Sequence, residues 1–308
     1  MTFDANTLLH AAQQVAAGQQ YPKGALYLVA TPIGNLADMS LRAVHVLALA
    51  DVVACEDTRV SGQLLRHLGM DKKLAAVHQH NEAQAAQGLV ALMLEGQRVA
   101  YVSDAGTPAV SDPGAHLVQA AHAAGLPVIP LPGASAVTTA LSAAGDTRAQ
   151  GFRFLGFLPS KGAARQSALR EALVPTCSLV LFEAPHRIED LAADLLTVCP
   201  LATVTVCREL SKQFEEIATL PVSGLAAWLA GGAHRQRGEF VLVVHAQGET
   251  EALPGLPPAV EAVLSELVQH IPVKKAAGLL ADLTGLPRKA LYDEAQRCRD
   301  QGSAEDLG

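Results

Sequence analysis

Short aliphatic runs alternate with helix-length segments along most of this sequence, and this alternation constrains the fold more than any other feature. In the first half the runs fall at residues 25–30, 52–55, 74–78, 98–103 and 127–131. A helix that returns the chain to the start of the next strand makes a crossover connection, so consecutive strands run parallel. Only 4% of the residues are aromatic although 50% are hydrophobic, which favours helices packed on aliphatic strands. The sequence therefore predicts an α/β fold.

A second series of strands and helices follows residues 145–151, which we interpret as the boundary between two α/β domains. Its strands are expected at residues 152–157, 177–182, 202–207, 214–220 and 238–246. The segment 247–258 is rich in Pro, Gly and Glu, as linkers often are, and only helical patterns follow it. The predicted organisation is a flexible N-terminal tail at 1–23, an N-terminal α/β domain at 24–148, a C-terminal α/β domain at 149–248 and a helix-turn-helix-like helical module at 258–303.

Charge and cysteine content argue against several classes of protein. The chain has 23 basic and 30 acidic residues, a formal net charge of −7, so indiscriminate coating of nucleic acid is not expected. No apolar run reaches the roughly 20 residues of a membrane span, and the N-terminal segment lacks the pattern of a signal peptide. The five cysteines include no C-x-x-C pair, and the histidines show no metal-ligand spacing. We expect a cytoplasmic protein with no metal site and no membrane partner.

Four loops rich in Gly, Pro and small polar residues follow predicted strands, at residues 30–35, 103–114, 132–136 and 183–187. In a parallel sheet, ligands bind where loops converge at the carboxyl ends of the strands. Small residues let a ligand approach the backbone closely, and Asp104 offers a carboxylate to a ribose hydroxyl or an ammonium group. The motifs G-x-G-x-x-G, G-K-[ST] and H-E-x-x-H are absent from the sequence. We favour a ligand site; the alternative is that these residues only form tight turns.

A series of motifs runs along the chain: YLVATPIGN, ACEDTR, SDAGTPAVSDPG, PLPGASA, FLGFLPSK, LFEAPHR, CREL-K and GEFVLVV. Together they resemble the motifs of the tetrapyrrole-methylase superfamily and, within it, those of the branch that methylates ribosomal RNA. The resemblance implies two α/β domains that bind S-adenosylmethionine in the cleft between them. It also implies a homodimer that 2′-O-methylates a cytidine in the decoding region of 16S rRNA, in the small ribosomal subunit.

By position, the resemblance assigns methyl-donor contacts to three loops of the first domain and to one strand end of the second. They are Pro32, Ile33, Gly34, Asp104, Ala105, Gly106, Thr107, Ala109, Ser135, Ala136 and Glu183. Tetrapyrrole-modifying members usually carry Gly-Pro-Gly in the first loop and Gly-Asp-Pro in the second, whereas this chain has Thr-Pro-Ile-Gly and Asp-Ala-Gly-Thr-Pro. This difference argues against a porphyrinoid substrate. A tetrapyrrole-precursor methyltransferase and a non-catalytic ribosome-assembly factor are the alternatives.

Charged residues that follow two of the strands are candidates for activating the ribose hydroxyl. A 2′-hydroxyl is a poor acid, so its methylation gains from a nearby base or from a cation that stabilises the developing alkoxide. Glu56, Asp57 and Arg59 follow the second predicted strand, and Glu209 and Lys212 follow the strand at 202–207. The alternative is that both sets are solvated ion pairs, and the sequence does not single out one base.

RNA binding by an anionic protein requires a local basic patch. The candidate phosphate contacts are Arg148, Arg153, Lys161, Arg165, Arg170, Arg187, Lys274 and Lys275. The first five lie in a stretch without Asp or Glu; a solvated helix face is the alternative, although such faces usually mix both signs of charge. In the helical module, acidic residues near Lys274 and Lys275 argue against a uniformly basic surface, so DNA is not an expected partner. Simple helix pairing explains this module equally well.

Overall fold

The computed structural model of the protein describes residues 4–78, 81–248 and 256–305. The chain divides into two compact units. The first unit comprises Met1–Thr147, Phe152–Leu173 and Ser178–His245, and the second comprises Arg148–Gly151, Val174–Cys177 and Ala246–Gly308. Both predicted α/β domains therefore contribute to one compact unit, and the C-terminal helices belong to the other. Of the predicted linker, residues 249–255 lie outside the described residues.

The first sheet has five parallel strands in the order β3-β2-β4-β1-β5. They are β1 Leu26–Val29, β2 Val52–Cys55, β3 Lys73–Ala76, β4 Val99–Val102 and β5 Val128–Leu131. The strands β2 and β4 are buried on both faces, which explains why their sequences, VVAC and VAYV, are apolar throughout. The order places β1 between β4 and β5, so the loops that follow these three strands are neighbours. The predicted parallel α/β architecture is confirmed.

Four helices of the described chain connect these strands, one further helix precedes them and another follows them. They are α1 Ala5–Ala16, α2 Leu41–Leu49, α3 Thr58–His67, α4 Glu82–Leu94, α5 Ala115–Ala123 and α6 Ala136–Ala144. Helix α1 occupies most of the segment in which the sequence predicts a flexible tail. Asp4 caps it, and Ala12 and Ala16 are buried, with Ala12 packed in the same apolar cluster as Val44 and Leu47 of α2. This packing orders a segment whose own apolar periodicity is weak.

The second sheet has the order β6-β7-β10-β8-β9 and includes antiparallel pairs. Its elements are β6 Gly151–Phe157, α7 Gly162–Ala172, β7 Cys177–Glu183, α8 Ile188–Val198, β8 Thr203–Arg208, β9 Glu216–Pro221, α9 Leu225–Ala230 and β10 Phe240–Val244. Alternation along β7 sends Leu179 and Leu181 into the core shared with α8. Val180 and Phe182 lie on the other face, in a cluster that contains residues of α6 and Ile33. This second cluster packs α6 and the loop after β1 against the second sheet.

The described part of the second unit forms three helices with a core of their own: α10 Pro258–His270, α11 Val273–Thr284 and α12 Arg288–Glu305. Leu264, Ala276 and Leu291 are fully buried in that core, one from each helix. Gly285 adopts a left-handed conformation, φ 72°, and ends α11. The predicted helix-turn-helix-like module is confirmed. Among residues 4–78, 81–248 and 256–305, no helix is long and apolar enough to span a bilayer.

Candidate functional site

Three loops that follow β1, β4 and β5 meet around Gly106. Thr31 and Gly106 exchange backbone hydrogen bonds, with N···O distances of 2.9 and 3.0 Å. The Thr107 hydroxyl donates to the carbonyl of Ala134 at 3.2 Å. Gly106 has a φ of 81°, and a Cβ added there would lie 3.5 Å from Cγ2 of Ile33. The three loops to which the sequence assigns donor residues are therefore in direct contact with one another.

A carboxylate-rich rim adjoins this surface. The backbone amide of Asp57 donates to Oδ1 of Asp104 at 3.2 Å, which connects the end of β2 to the end of β4. Hydrogen bonds from the Arg59 side chain and from its backbone amide lower the pKa of Asp57 to about 2. Burial, followed by repulsion from Asp104, Asp112 and Asp57, raises the pKa of Glu56. Of the neighbours Glu56 and Asp57, Glu56 is therefore the better proton acceptor.

A cavity of about 250 Å³ opens beside Asp104. The loop residues that line it are Thr31, Pro32, Leu36, Ser103 and Asp104, and the lining residues from α3 are Val60, Ser61, Gln63, Leu64 and His67. Two of the predicted donor residues, Pro32 and Asp104, thus face a space bounded by the helix that Asp57 caps. No cluster of three or more His, Cys, Asp and Glu side chains within the described residues is arranged to hold a metal ion.

The loop between β4 and α5 is strained and firmly anchored. Ala109 and Ser111 have φ values of 63° and 68°, a region that L-residues other than Asn and Asp seldom adopt, and residues strained in this way cluster at functional sites. The buried Glu82 accepts hydrogen bonds from the amides of Gly114 and His116, at 2.8 and 2.9 Å, and so fixes the end of the loop. Sequence reasoning missed Glu82 because an acid in the first turn of α4 is ordinary.

The second domain places a lysine against the first donor loop. A Cβ on Gly34 would lie 2.4 Å from Cγ of Lys212, so only glycine permits this approach. The Lys212 ammonium contacts carboxylate oxygens of Glu209 and Glu239, each at 2.8 Å. Burial acts to raise the pKa of Glu209 and to lower that of Lys212. The hydrogen bonds outweigh burial, so the pKa of Glu209 is lowered and that of Lys212 is raised. Glu209 and Ser211 have φ values of 53° and 63°, so this loop is strained too.

The remaining donor candidates lie at the edge of this arrangement. Ser135 is the N-cap residue of α6, and Ala136 begins that helix and packs in the cluster between α6 and the second sheet. The Glu183 side chain is buried on the opposite face of β7 from Phe182, because successive strand residues alternate. Its Oε1 faces Nε of Arg187 at 3.1 Å, and its Oε2 has no hydrogen-bond partner. The Glu183 carboxylate is thus not brought to the three loops.

The structure separates the predicted phosphate contacts into buried and exposed groups. Arg165 is only 3% exposed and forms an ion pair with Asp194. The prediction that Arg165 contacts RNA phosphates is therefore wrong. The reason is that the buried carboxylate of Asp194, on α8, requires a partner. Arg187 directs its guanidinium inward to the carbonyls of Leu158 and Pro159. The exposed candidates are Arg153, Lys161 and Arg170 in the first unit and Arg148, Lys274 and Lys275 in the second.

Comparison with known proteins gives matches along nearly the whole chain. The family model described as Tetrapyrrole (Corrin/Porphyrin) Methylases matches residues 25–226, and the model described as RsmI C-terminal HTH domain matches residues 254–299. Ribosomal RNA small subunit methyltransferase I of Escherichia coli O157:H7 is 44% identical over 274 residues, which cover 89% of this chain and 95% of that protein. The protein of the same name from Vibrio cholerae serotype O1 is 46% identical over 277 residues, covering 88% and 94%.

Two solved structures of similar fold are of uroporphyrin-III C-methyltransferases. Uroporphyrin-III-C-methyltransferase from Thermus thermophilus has a TM-score of 0.51 and 25% identity, and the match covers 73% of this chain and 96% of that one. A structure of Uroporphyrin-III C-methyl transferase from the same organism, complexed with S-adenyl homocysteine, has a TM-score of 0.51 and 20% identity, covering 72% and 97%. At that identity the second likeness concerns the fold alone.

Proposed function

This chain belongs to the tetrapyrrole methylase family, in its group of ribosomal RNA small subunit methyltransferases I, and we propose that it uses S-adenosylmethionine to 2′-O-methylate a cytidine of small-subunit rRNA. The observation that carries the proposal is the convergence at Gly106 of three loops to which the sequence resemblance assigns methyl-donor contacts. The decoding region as target, the cytoplasm as location and a homodimer as assembly are parts of the same proposal.

The residues around Gly106 fit the chemistry of the methyl donor. Gly106 holds a positive φ that glycine adopts without strain and leaves its backbone uncovered, Ile33 and Pro32 offer apolar contact, and Asp104 offers an exposed carboxylate for hydroxyl or ammonium groups. Bound at these residues, S-adenosylmethionine would supply an electrophilic methyl group on a sulfonium. We expect Asp104→Ala to weaken donor binding in a folded protein, measured by calorimetry. Donor affinity equal to that of the wild type would remove Asp104 from the site.

Two charged groups flank the proposed donor site and support a division of roles. Glu56 has the raised pKa, so we assign it to accept the proton of the ribose hydroxyl. Lys212 stays protonated and its stem packs on Gly34, so we assign it to stabilise the negative charge that develops on the ribose oxygen. If Glu56 is the base, kcat of the wild type falls at low pH as Glu56 becomes protonated, and Glu56→Gln should abolish this fall. Lys212→Met should lower kcat at every pH and keep the fall at low pH.

The exposed cations Arg153, Lys161 and Arg170 are the proposed phosphate contacts of the first unit. Each phosphate contact that is lost should lower RNA affinity and reduce the slope of log affinity against log salt by roughly 0.7–0.9. The double variant Arg153→Glu/Arg170→Glu should therefore bind small subunits more weakly and with a shallower salt dependence. Donor affinity should stay unchanged. A salt slope equal to that of the wild type would show that these residues form only a solvated surface.

The proposal is tested by incubating the protein with methyl-labelled S-adenosylmethionine and small subunits that lack the modification. We expect label in 2′-O-methylcytidine after nuclease digestion of the rRNA. Label in a porphyrinogen but not in RNA would favour the tetrapyrrole alternative. Binding of subunits without donor binding or methyl transfer would favour a non-catalytic assembly factor. Light scattering at the assay concentration tests the proposed homodimer.

A further inference from the structure

Three phenylalanine rings form a cluster at the end of the second sheet, and the outermost ring is exposed. The Phe182 ring lies 4.9 Å from that of Phe154 and 5.8 Å from that of Phe157, both in edge-to-face geometry. Phe154 and Phe182 pack in the cluster that contains Ile33 and Ala136, next to the donor loops. Phe157 is 59% exposed, so a large aromatic surface faces solvent beside the proposed site.

Gly156 explains why Phe157 joins this cluster. In a regular strand, residues 154 and 157 point to opposite faces, because side chains alternate with a period of two. Gly156 has a φ of 63°, a left-handed conformation that shifts this alternation by one residue, as glycine does at bulges. A Cβ at this position would lie 2.9 Å from the Ser111 hydroxyl, in the strained loop after β4. The conformation of Gly156 therefore places the Phe157 ring on the face of the sheet that packs against the donor loops.

The backbone behind the ring is fixed by buried charge. Arg187 donates to the carbonyl of Leu158 at 2.6 Å and to that of Pro159 at 3.2 Å. The same guanidinium is held by Glu183, whose side chain has no exposed surface. The segment after Phe157 is thus restrained before any partner arrives, which lowers the entropic cost of using the ring for binding.

The segment that carries Phe157 is basic. Residues 148–170 contain no Asp or Glu, and Arg153 and Lys161 are exposed on either side of the ring in sequence. Proteins bind single-stranded RNA by stacking unpaired bases on aromatic side chains while cations contact the phosphates. We propose that Phe157 is a stacking platform for an unpaired base of the RNA strand that carries the methylated nucleotide. This inference rests on the proposed function.

The test compares three variants of the full chain. Phe157→Ala should lower kcat/KM for small subunits by about 5- to 150-fold, the range measured for loss of one stacked base. Phe157→Trp keeps an aromatic face and should stay within about twofold of the wild type. Phe152→Ala is the matched control, because Phe152 lies on the same strand and is 52% exposed. It should leave kcat/KM unchanged, and none of the three should alter donor affinity.

Filter binding of small subunits, run in parallel, separates this inference from the proposed function. Were the wild type to bind subunits without methylating them, the proposed function would fail, and a loss of binding confined to Phe157→Ala would still support the platform. Equal subunit affinity and equal kcat/KM for Phe157→Ala and Phe152→Ala would overturn it. Conversion of a dimer to monomers by Phe157→Ala would overturn it in favour of an interface between copies. Loss of donor affinity in both Phe157 variants would also overturn it, because the ring would then support the donor loops and not the RNA.

Discussion

Gly133→Ala is the substitution whose effect follows most directly from the geometry of the donor loops. A Cβ on Gly133 would lie 2.7 Å from Cβ of Ala30 and 3.5 Å from its carbonyl oxygen. Non-bonded carbons prefer separations of about 3.5–4.0 Å, so the two loops must move apart by roughly 1 Å. Both carbons are attached directly to the backbone, so no rotamer change relieves the contact.

We expect this displacement to affect both stability and turnover. Overpacking of this kind costs about 1–3 kcal/mol of unfolding free energy. A misplacement of roughly 1 Å in a positioning element costs on the order of 100-fold in rate, so methyl transfer should fall by about that factor. Urea denaturation gives the first quantity, and single-turnover transfer at saturating donor gives the second.

Gly88→Ala is the matched control for this substitution. Gly88 lies within α4, and a Cβ there would meet no atom within 4 Å. Alanine in a helix interior is more stable than glycine by roughly 0.5–1 kcal/mol, so this variant should gain stability and keep full activity. If Gly133→Ala unfolds and transfers methyl groups as the wild type does, the close approach of these two loops does not position the donor, and the reasoning is refuted.

Three further substitutions test other parts of the account. Arg165→Met leaves the buried Asp194 carboxylate without its ion-pair partner and should cost about 3–5 kcal/mol in urea denaturation, whereas the exposed Arg170→Met should change stability by less than about 0.5 kcal/mol. Ala109→Gly relieves a left-handed φ of 63° and should raise the unfolding free energy by about 1 kcal/mol, again by urea denaturation; no gain would show that the loop holds no strain. Burial, and then nearby carboxylates, raise the pKa of Glu56 in the folded protein. The ionised carboxylate therefore destabilises the folded state at high pH, and this effect disappears at low pH, where Glu56 is protonated in both the folded and the unfolded state. Calorimetry should therefore show that Glu56→Gln raises Tm at pH 8 and changes it much less at pH 4, and equal shifts at both values would contradict the assigned direction.

The main architecture could be predicted because its determinants are local. The runs at β2 and β4 are apolar throughout, since those strands are buried on both faces, and glycines mark the ends of the helices between them. Loops after parallel strands lie at the same edge of the sheet, so the sequence could predict that the candidate loops converge. The strand order that makes β1 the neighbour of both β4 and β5 is visible only in the structure.

The features that sequence reasoning missed depend on contacts between distant residues. The sequence pattern assigns Arg165 to a basic stretch, but its side chain pairs with Asp194, which lies 29 residues away on another helix. Glu82 anchors Gly114 from 32 residues away. The orientation of Phe157 depends on one glycine conformation that the strand pattern does not encode. Each of these requires the packing of elements to be known before the residue's role can be assigned.

The most direct test of the central claim is mass spectrometry of small-subunit rRNA from cells that have this protein and from otherwise identical cells that lack it. We predict one nucleotide whose ribose carries a methyl group only when the protein is present, a cytidine in the decoding region. Restoring the gene should restore the modification, and the Asp104→Ala variant should restore less of it. An rRNA modification pattern that is identical with and without the protein would contradict the account.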